Sequence, residues 1–437
     1  MRSMGNIQGI VNSLRHHWVW QPVAQLLVIL ALGAMLRLSP SFEGTIQALW
    51  QYLPPSVIEQ HGWRSLYYLH QQPPLLNAIL VFIIQLGGRG ALEGSIQVIM
   101  LIILLANLIL INRITSALKL NLATSWIFVL FPAFWLYHTW FYEPAFTMFF
   151  TNCVILGLVI TPSALTFLLA TVGLVGLTLT HGSFHPAMIY CVFALAWFLI
   201  FRKCNLRRTI VIVGILLAIP AVFLFKNLYL AGSPSLSTWA GCNLHQKFMH
   251  AGTGFEYTPR EIPGAPNILG AAKFTEGDRV NTNNLDFAAH CNENLRLILA
   301  KAQEPGEFLA YLSRVAETIR SNESSLSLEY RGAGFSPSHW GLLSKAIEQL
   351  ITFKKYYELP LLLITLFAPI LTLALLIKHK LFKPFFVLTL IYYFGLSIAH
   401  LANGWEQMRM AYRSSFFLYI CVLISLHSLL KRFTRIA

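Results

Sequence analysis

The chain has 437 residues, of which 56% are hydrophobic and 11% charged, and its mean hydropathy is +0.60. That composition excludes an ordinary soluble domain and reads as a polytopic membrane protein. Lys and Arg number 32 against 18 Asp and Glu, a net charge of +14, which fits either a nucleic-acid binder or a membrane protein with basic inner loops.

In chain order, apolar runs of spanning length fall at 22–36, 95–112, 122–137, 145–161, 163–180, 187–201, 209–230, 355–377, 384–400 and 415–430. The connections expected to be cytoplasmic hold Arg2, Arg15, Arg113, Lys119, Arg202, Lys203, Arg207, Arg208, Lys378, Lys380, Lys383, Lys431, Arg432 and Arg435, and no acid. These fourteen cations equal the whole net charge, which leaves 18 cations against all 18 acids elsewhere. The basicity therefore follows topology and is not a nucleic-acid footprint. An even number of spans with a basic tail at each end places both termini in the cytoplasm. No cleavable signal sequence is evident, so the N-terminus is expected to stay inside.

The run Pro73–Leu86 is too short to cross, carries Asn77 and Gln85, and stops at Gly87-Gly88. It reads as a re-entrant or juxtamembrane helix. The alternative, a true span, would put Arg113 and Lys119 outside.

The expected fold class is thus an all-α polytopic membrane protein. It has about ten transmembrane helices, a juxtamembrane or re-entrant helix in the first outer loop (37–94), and a mixed, mainly helical outer domain. Residues 1–230 form an N-terminal membrane module, 231–354 the outer domain, and 355–437 the C-terminal helices. Twelve of the acids sit in 231–354. A helix is expected around Asp286–Lys301 and an amphipathic one after Pro305, with Phe308, Leu309, Leu312, Val315 and Ile319 on one stripe. Residues 251–284 read as irregular. Cys242 and Cys291 share this domain and fit either a disulfide or two separate thiols. The Asn322-Glu323-Ser324 sequon is expected outside.

Polar residues gather at the outer ends of the spans. The first loop offers Arg37, Glu43, Glu59, His61, Arg64, Tyr67, Tyr68 and His70; the second, His138, Tyr142 and Glu143; the third, His181 and His185; the last, Glu406, Arg409 and Arg413. A channel or proton-driven carrier is expected to hold ionisable groups near mid-membrane instead, and none is read there. Glu143 before Pro144 is either an interfacial anchor or a working carboxylate; Glu43 is either a solvated, capping acid or a functional one. Arg409 and Arg413, four apart, fit a phosphate clamp or plain anchors, and Glu406 offers Arg409 a local ion pair. His181 and His185 are spaced for a metal with His138 or His400, but Gly182 and Pro186 break the helix and no acid or cysteine completes a ligand set, so no metal is expected. No phosphate-binding glycine loop or nucleophile elbow is present in the sequence, and no cofactor is expected. Acids and arginines beside a lipid-accessible cavity suit sugar transfer from a polyprenyl phosphate, whose leaving phosphate needs a cation and whose acceptor hydroxyl needs a base.

Leu36-Arg37, Phe42-Glu43-Gly44, His70-Gln-Gln-Pro73-Pro74-Leu75-Leu76, Tyr142-Glu143-Pro144 and the late Glu406-Gln-Met-Arg409, in this order, resemble the membrane glycosyltransferases of the C-type fold. Among these are the bacterial dolichyl-phosphate-mannose protein mannosyltransferase and lipid A aminoarabinose transferase relatives. The likeness covers the first 200 residues or so and the last outer loop. It departs where many relatives carry a pair of acids, here Glu43 alone, and in a His-to-Pro-Pro spacing one residue longer. The resemblance implies a polyprenyl-phosphate-linked sugar donor, a lipid, glycan or protein acceptor, and a site on the outer face of the plasma membrane. It implies Glu43 as general base, Glu143 orienting acceptor or base with Tyr142 and Glu406 beside the substrates, and His70 and Arg409 on the phosphate with Arg413 and Lys226 assisting. The alternatives are a lipid-linked-saccharide transporter or flippase, and a non-catalytic subunit of an envelope assembly.

Overall fold

The computed structural model describes residues 20–34, 52–120, 137–139, 141–182, 184–204, 209–239, 241–242, 285–301 and 382–391, with isolated positions between them, Phe42, Ile46, Ser125, Phe134 and Trp135 included. All regular structure among the described residues is helical. We number the helices α1 Trp20–Ala34, α2 Pro55–His61, α3 Arg64–Tyr68, α4 Leu75–Gly87, α5 Leu92–Ala117, α6 Glu143–Val159, α7 Ala164–Thr180, α8 Pro186–Ala196, α9 Ile210–Ala231, α10 Leu285–Lys301 and α11 Phe382–Ile391.

With the short turn that precedes it, α5 forms an apolar stretch of 29 residues, Arg89–Ala117, and α9 has 22. Among the described residues these two are long and apolar enough to cross a membrane; α1, α4, α6, α7, α11 and Pro186–Phe201 are shorter apolar helices. α1 and α4–α9 fall on the expected apolar runs, α5 extending past both expected ends, while α2 and α3 lie in the first loop. Of the run 122–137 only isolated positions are described. The span expected at 355–377 and the stripe beyond Pro305, apart from isolated positions, that at 384–400 beyond Ile391, and all of 415–430, the irregular 251–284 and the sequon lie outside the described residues.

Where each helix starts follows from local chemistry. Ser163 caps α7 with Thr166 in a reciprocal capping box, and proline occupies the first turn of α2, α6 and α8, where its missing N–H costs nothing. α6 and α7 lie backbone to backbone through glycine: a Cβ on Gly173 would sit 2.6 Å from the Phe150 carbonyl oxygen, and one on Gly157 2.6 Å from that of Thr166.

α1 and α5 run antiparallel. At one end, Asn112 donates to Gln25 (2.7 Å), and Ser125 takes bonds from Gln21 and Gln25 while donating to Asn112. At the other, the Phe42 amide donates to Glu93 at 3.1 Å. Glu93 and Asn112 are separated along α5 by about 28 Å at 1.5 Å per residue, close to the roughly 30 Å of a hydrocarbon core.

The expected helix at 73–86 is α4, 13 residues from Leu75 to Gly87. At about 20 Å it is too short for a span. One face is buried through Leu76, Asn77, Leu80, Val81 and Ile84, while Phe82 and Leu86 are exposed. The expected helix near 286 is α10, and the open question of the two cysteines is resolved: Cys242 and Cys291 form a disulfide with a Cα separation of 4.6 Å.

Candidate functional site

Three of the singled-out motifs begin from one apolar cluster. Phe42, Leu69, Phe141 and Tyr142 are all buried in it with Leu80 of α4 and Met100 of α5. Phe42, Leu69 and Tyr142 stand immediately before Glu43, His70 and Glu143 in the sequence. The link between the first and second loops is specific: the Tyr52 hydroxyl donates to the Phe141 carbonyl, its ring stacks on Phe141 with centroids 5.6 Å apart, and the Leu53 amide donates to Asn77 Oδ1 at 2.8 Å.

Glu143 is the first residue of α6 and is 5% exposed. Helix-start N–H groups and the positive end of the helix dipole offset the cost of burying its carboxylate there. Tyr142, extended at the N-cap and 1% exposed, closes that end against the apolar cluster.

Lys226 and Thr238 hold the chain on either side of the Leu69–His70 peptide. Lys226, half-buried on α9, donates to the carbonyls of Leu66 (3.3 Å), in the last turn of α3, and of Leu69, which follows it. His70, 2% exposed, has Nδ1 at 3.0 Å from Thr238 Oγ1, and its carbonyl accepts from the Thr238 amide at 3.1 Å. Ser237 Oγ donates to the Gln71 carbonyl at 2.7 Å. Thr238 and Ser237 carried no sequence motif; the pairing joins residues 168 positions apart. Glu43, Arg409, Arg413 and Glu406 lie outside the described residues, as does Arg37.

Two of the histidines considered for a metal, His185 and His138, bond other groups, and His400 lies outside the described residues. His185 Nδ1 accepts from the Ala187 amide, capping α8, so Nε2 carries the proton and donates to the Pro234 carbonyl at 2.7 Å. His138 is placed differently from the expected outer end. Its Nδ1–H donates to the Phe134 carbonyl (2.8 Å), leaving Nε2 to accept from Asn107, in the middle of α5, at 3.1 Å. Asn107 also donates to the Ala145 carbonyl (3.3 Å) and accepts from Asn152 (2.8 Å). A histidine thus sits beside the middle of a long apolar helix, against the expectation that ionisable groups keep to the ends; its place just after an apolar run suggests a loop from sequence alone. Among the described residues no cluster of three His, Cys, Asp or Glu side chains is placed to hold a metal ion.

Compared with known protein families, characterised proteins and solved structures, the chain matches none.

Proposed function

We propose that this chain is a polytopic membrane glycosyltransferase that moves a sugar from a polyprenyl-phosphate donor to a lipid, glycan or protein acceptor on the extracytoplasmic side. The observation that carries the reading is the burial of Phe42, Leu69 and Tyr142 in one apolar cluster. Phe42, Leu69 and Tyr142, which precede Glu43, His70 and Glu143, enter that cluster from three separate stretches of chain.

The antiparallel pairing of α1 with α5 supports one crossing before and one after the first loop, with α4 lying along the membrane face. A single disulfide in the 231–354 region supports an oxidising compartment for it, and the acid-free basic connections support the cytoplasmic placement of both termini. Ten spans remain our count from the sequence.

In this reading Glu43 takes the proton from the acceptor hydroxyl. The oxygen attacks the anomeric carbon as the carbon–oxygen bond to phosphate breaks, and polyprenyl phosphate leaves with the electron pair. One displacement inverts the anomeric centre. Glu143, fixed at the start of α6, orients the acceptor or the base with Tyr142 beside it. His70 and Arg409 hold the phosphate, and Arg413 and Lys226 add positive charge, with Glu406 orienting Arg409. Glu43→Gln in reconstituted protein is expected to abolish donor consumption while donor binding persists; an active Glu43→Gln enzyme overturns the assignment.

The Asn107–His138–Asn152 chain favours a second reading, a flippase for a lipid-linked saccharide. It places polar groups part-way along α5, where Thr147 Oγ1 and Asn152 Oδ1 are also buried and have no hydrogen-bond partner among the described residues. A flippase moves the lipid across the bilayer intact; a transferase releases its phosphate.

A further inference from the structure

The start of the outer domain is tied to His70 more tightly than a connecting loop requires. α9 ends at Gly232, which takes the left-handed conformation (φ 62°) and turns the chain back over the helix end. From there Ser233–Thr238 is fixed residue by residue. Asn227 Nδ2 holds the Ser235 carbonyl (2.8 Å), His185 holds that of Pro234, and Ser237 packs so closely on Gly182 that a Cβ there would lie 2.7 Å from its own. Ser237 then bonds Gln71, and Thr238 bonds His70 twice, through backbone and hydroxyl.

The far side of this segment is anchored to α10. Trp239, next to Thr238, packs on the Cys242–Cys291 disulfide. Gly241 lies against the Cys291 backbone, where a Cβ would meet the carbonyl oxygen at 1.9 Å. Asn292 of α10 closes the loop by donating to the Ala231 carbonyl at 2.8 Å, back at the end of α9.

We propose that Ser233–Thr238 is a positioning strap for His70: Thr238 sets the orientation of the imidazole, and the disulfide, acting through Trp239, holds Thr238 in place. The outer domain then governs the placement of the His70–Gln71 segment of the membrane module. What His70 does chemically rests on the glycosyl-transfer reading; the strap does not.

The test is histidine footprinting of the full-length protein in detergent with diethyl pyrocarbonate, read by mass spectrometry, on wild type, Thr238→Val, Thr238→Ser and the Cys242→Ser/Cys291→Ser double variant. Valine keeps the shape and the backbone bond but removes the hydroxyl. His70 modification is expected to accelerate by about tenfold, the factor a single hydrogen bond confers, in Thr238→Val and in the double variant. It should stay at the wild-type rate in Thr238→Ser. His138, buried against α5, is the internal control for an intact bundle. Should the double variant expose His138 as well, Thr238→Val alone decides. An unchanged His70 rate in Thr238→Val overturns the proposal, and so does acceleration in Thr238→Ser equal to that in Thr238→Val. Polyprenyl-phosphate release by the wild type is measured separately, so failure of the strap and failure of the transferase reading are distinct results.

Discussion

Asn107 and His138 are joined by a hydrogen bond of 3.1 Å part-way along α5, and the ring can accept it only as the Nδ1–H tautomer. With both amide protons given to His138 and Ala145 and its carbonyl oxygen taken by Asn152, Asn107 satisfies three buried groups from one side chain. Asn107→Leu is therefore expected to strand polar atoms of His138 and Asn152 at about 1–3 kcal/mol each. Thermal unfolding in detergent measures this, and a melting temperature equal to wild type contradicts it.

The pairing of Gln25 with Asn112 at one end of α5 and of Phe42 with Glu93 at the other predicts opposite sides for the two ends of this helix. In a background with Cys153, Cys191, Cys204 and Cys421 replaced, Gly90→Cys should react with a membrane-impermeant maleimide from outside intact cells. Lys119→Cys should react only after permeabilisation. Labelling of both from the same side removes α5 from the set of crossing helices.

Lys119 closes α5 in the left-handed region (φ 56°), with its amide on the Ser116 carbonyl and that of Leu120 on Thr115. This is a Schellman ending whose usual residue is glycine. Lys119→Gly should raise unfolding stability by about 1 kcal/mol, the cost of a side chain in that conformation. Gly173→Ala should do the reverse, by about 1–3 kcal/mol, because its methyl carbon would sit 2.6 Å from the Phe150 carbonyl oxygen. Equilibrium unfolding of the two variants beside wild type gives both signs at once; opposite signs from those stated refute the backbone argument.

Run length and turn chemistry made much of the helical framework legible. Pro144 and Pro186 mark helix starts, and the Gly87-Gly88 pair stops α4 short of a span. The Cys242–Cys291 bond was not decidable, because no spacing rule links residues 49 apart; only the packing of Gly241 on α10 brings them together. An apolar run followed by His138-Thr-Trp looks like a helix mouth, and nothing local reveals a partner 31 residues earlier. Thr238 and Ser237 were missed for the same reason, since a Ser-Pro-Ser-Leu-Ser-Thr stretch reads as generic loop until its partners are known. Lys226 bonds the carbonyls of Leu66 and Leu69, and His70 bonds Thr238, two sets of partners that no local pattern reveals.

The central claim is chemical transfer, and the most direct measurement is release of polyprenyl phosphate in proteoliposomes. The donors would be undecaprenyl-phosphate-linked hexose and aminopentose, given to wild type and to Glu43→Gln. The account predicts donor breakdown by the wild type and a loss of at least about a hundredfold in Glu43→Gln, the scale of a removed general base, with the melting temperature unchanged. Donor that crosses the bilayer unbroken, or equal breakdown by the two proteins, contradicts it.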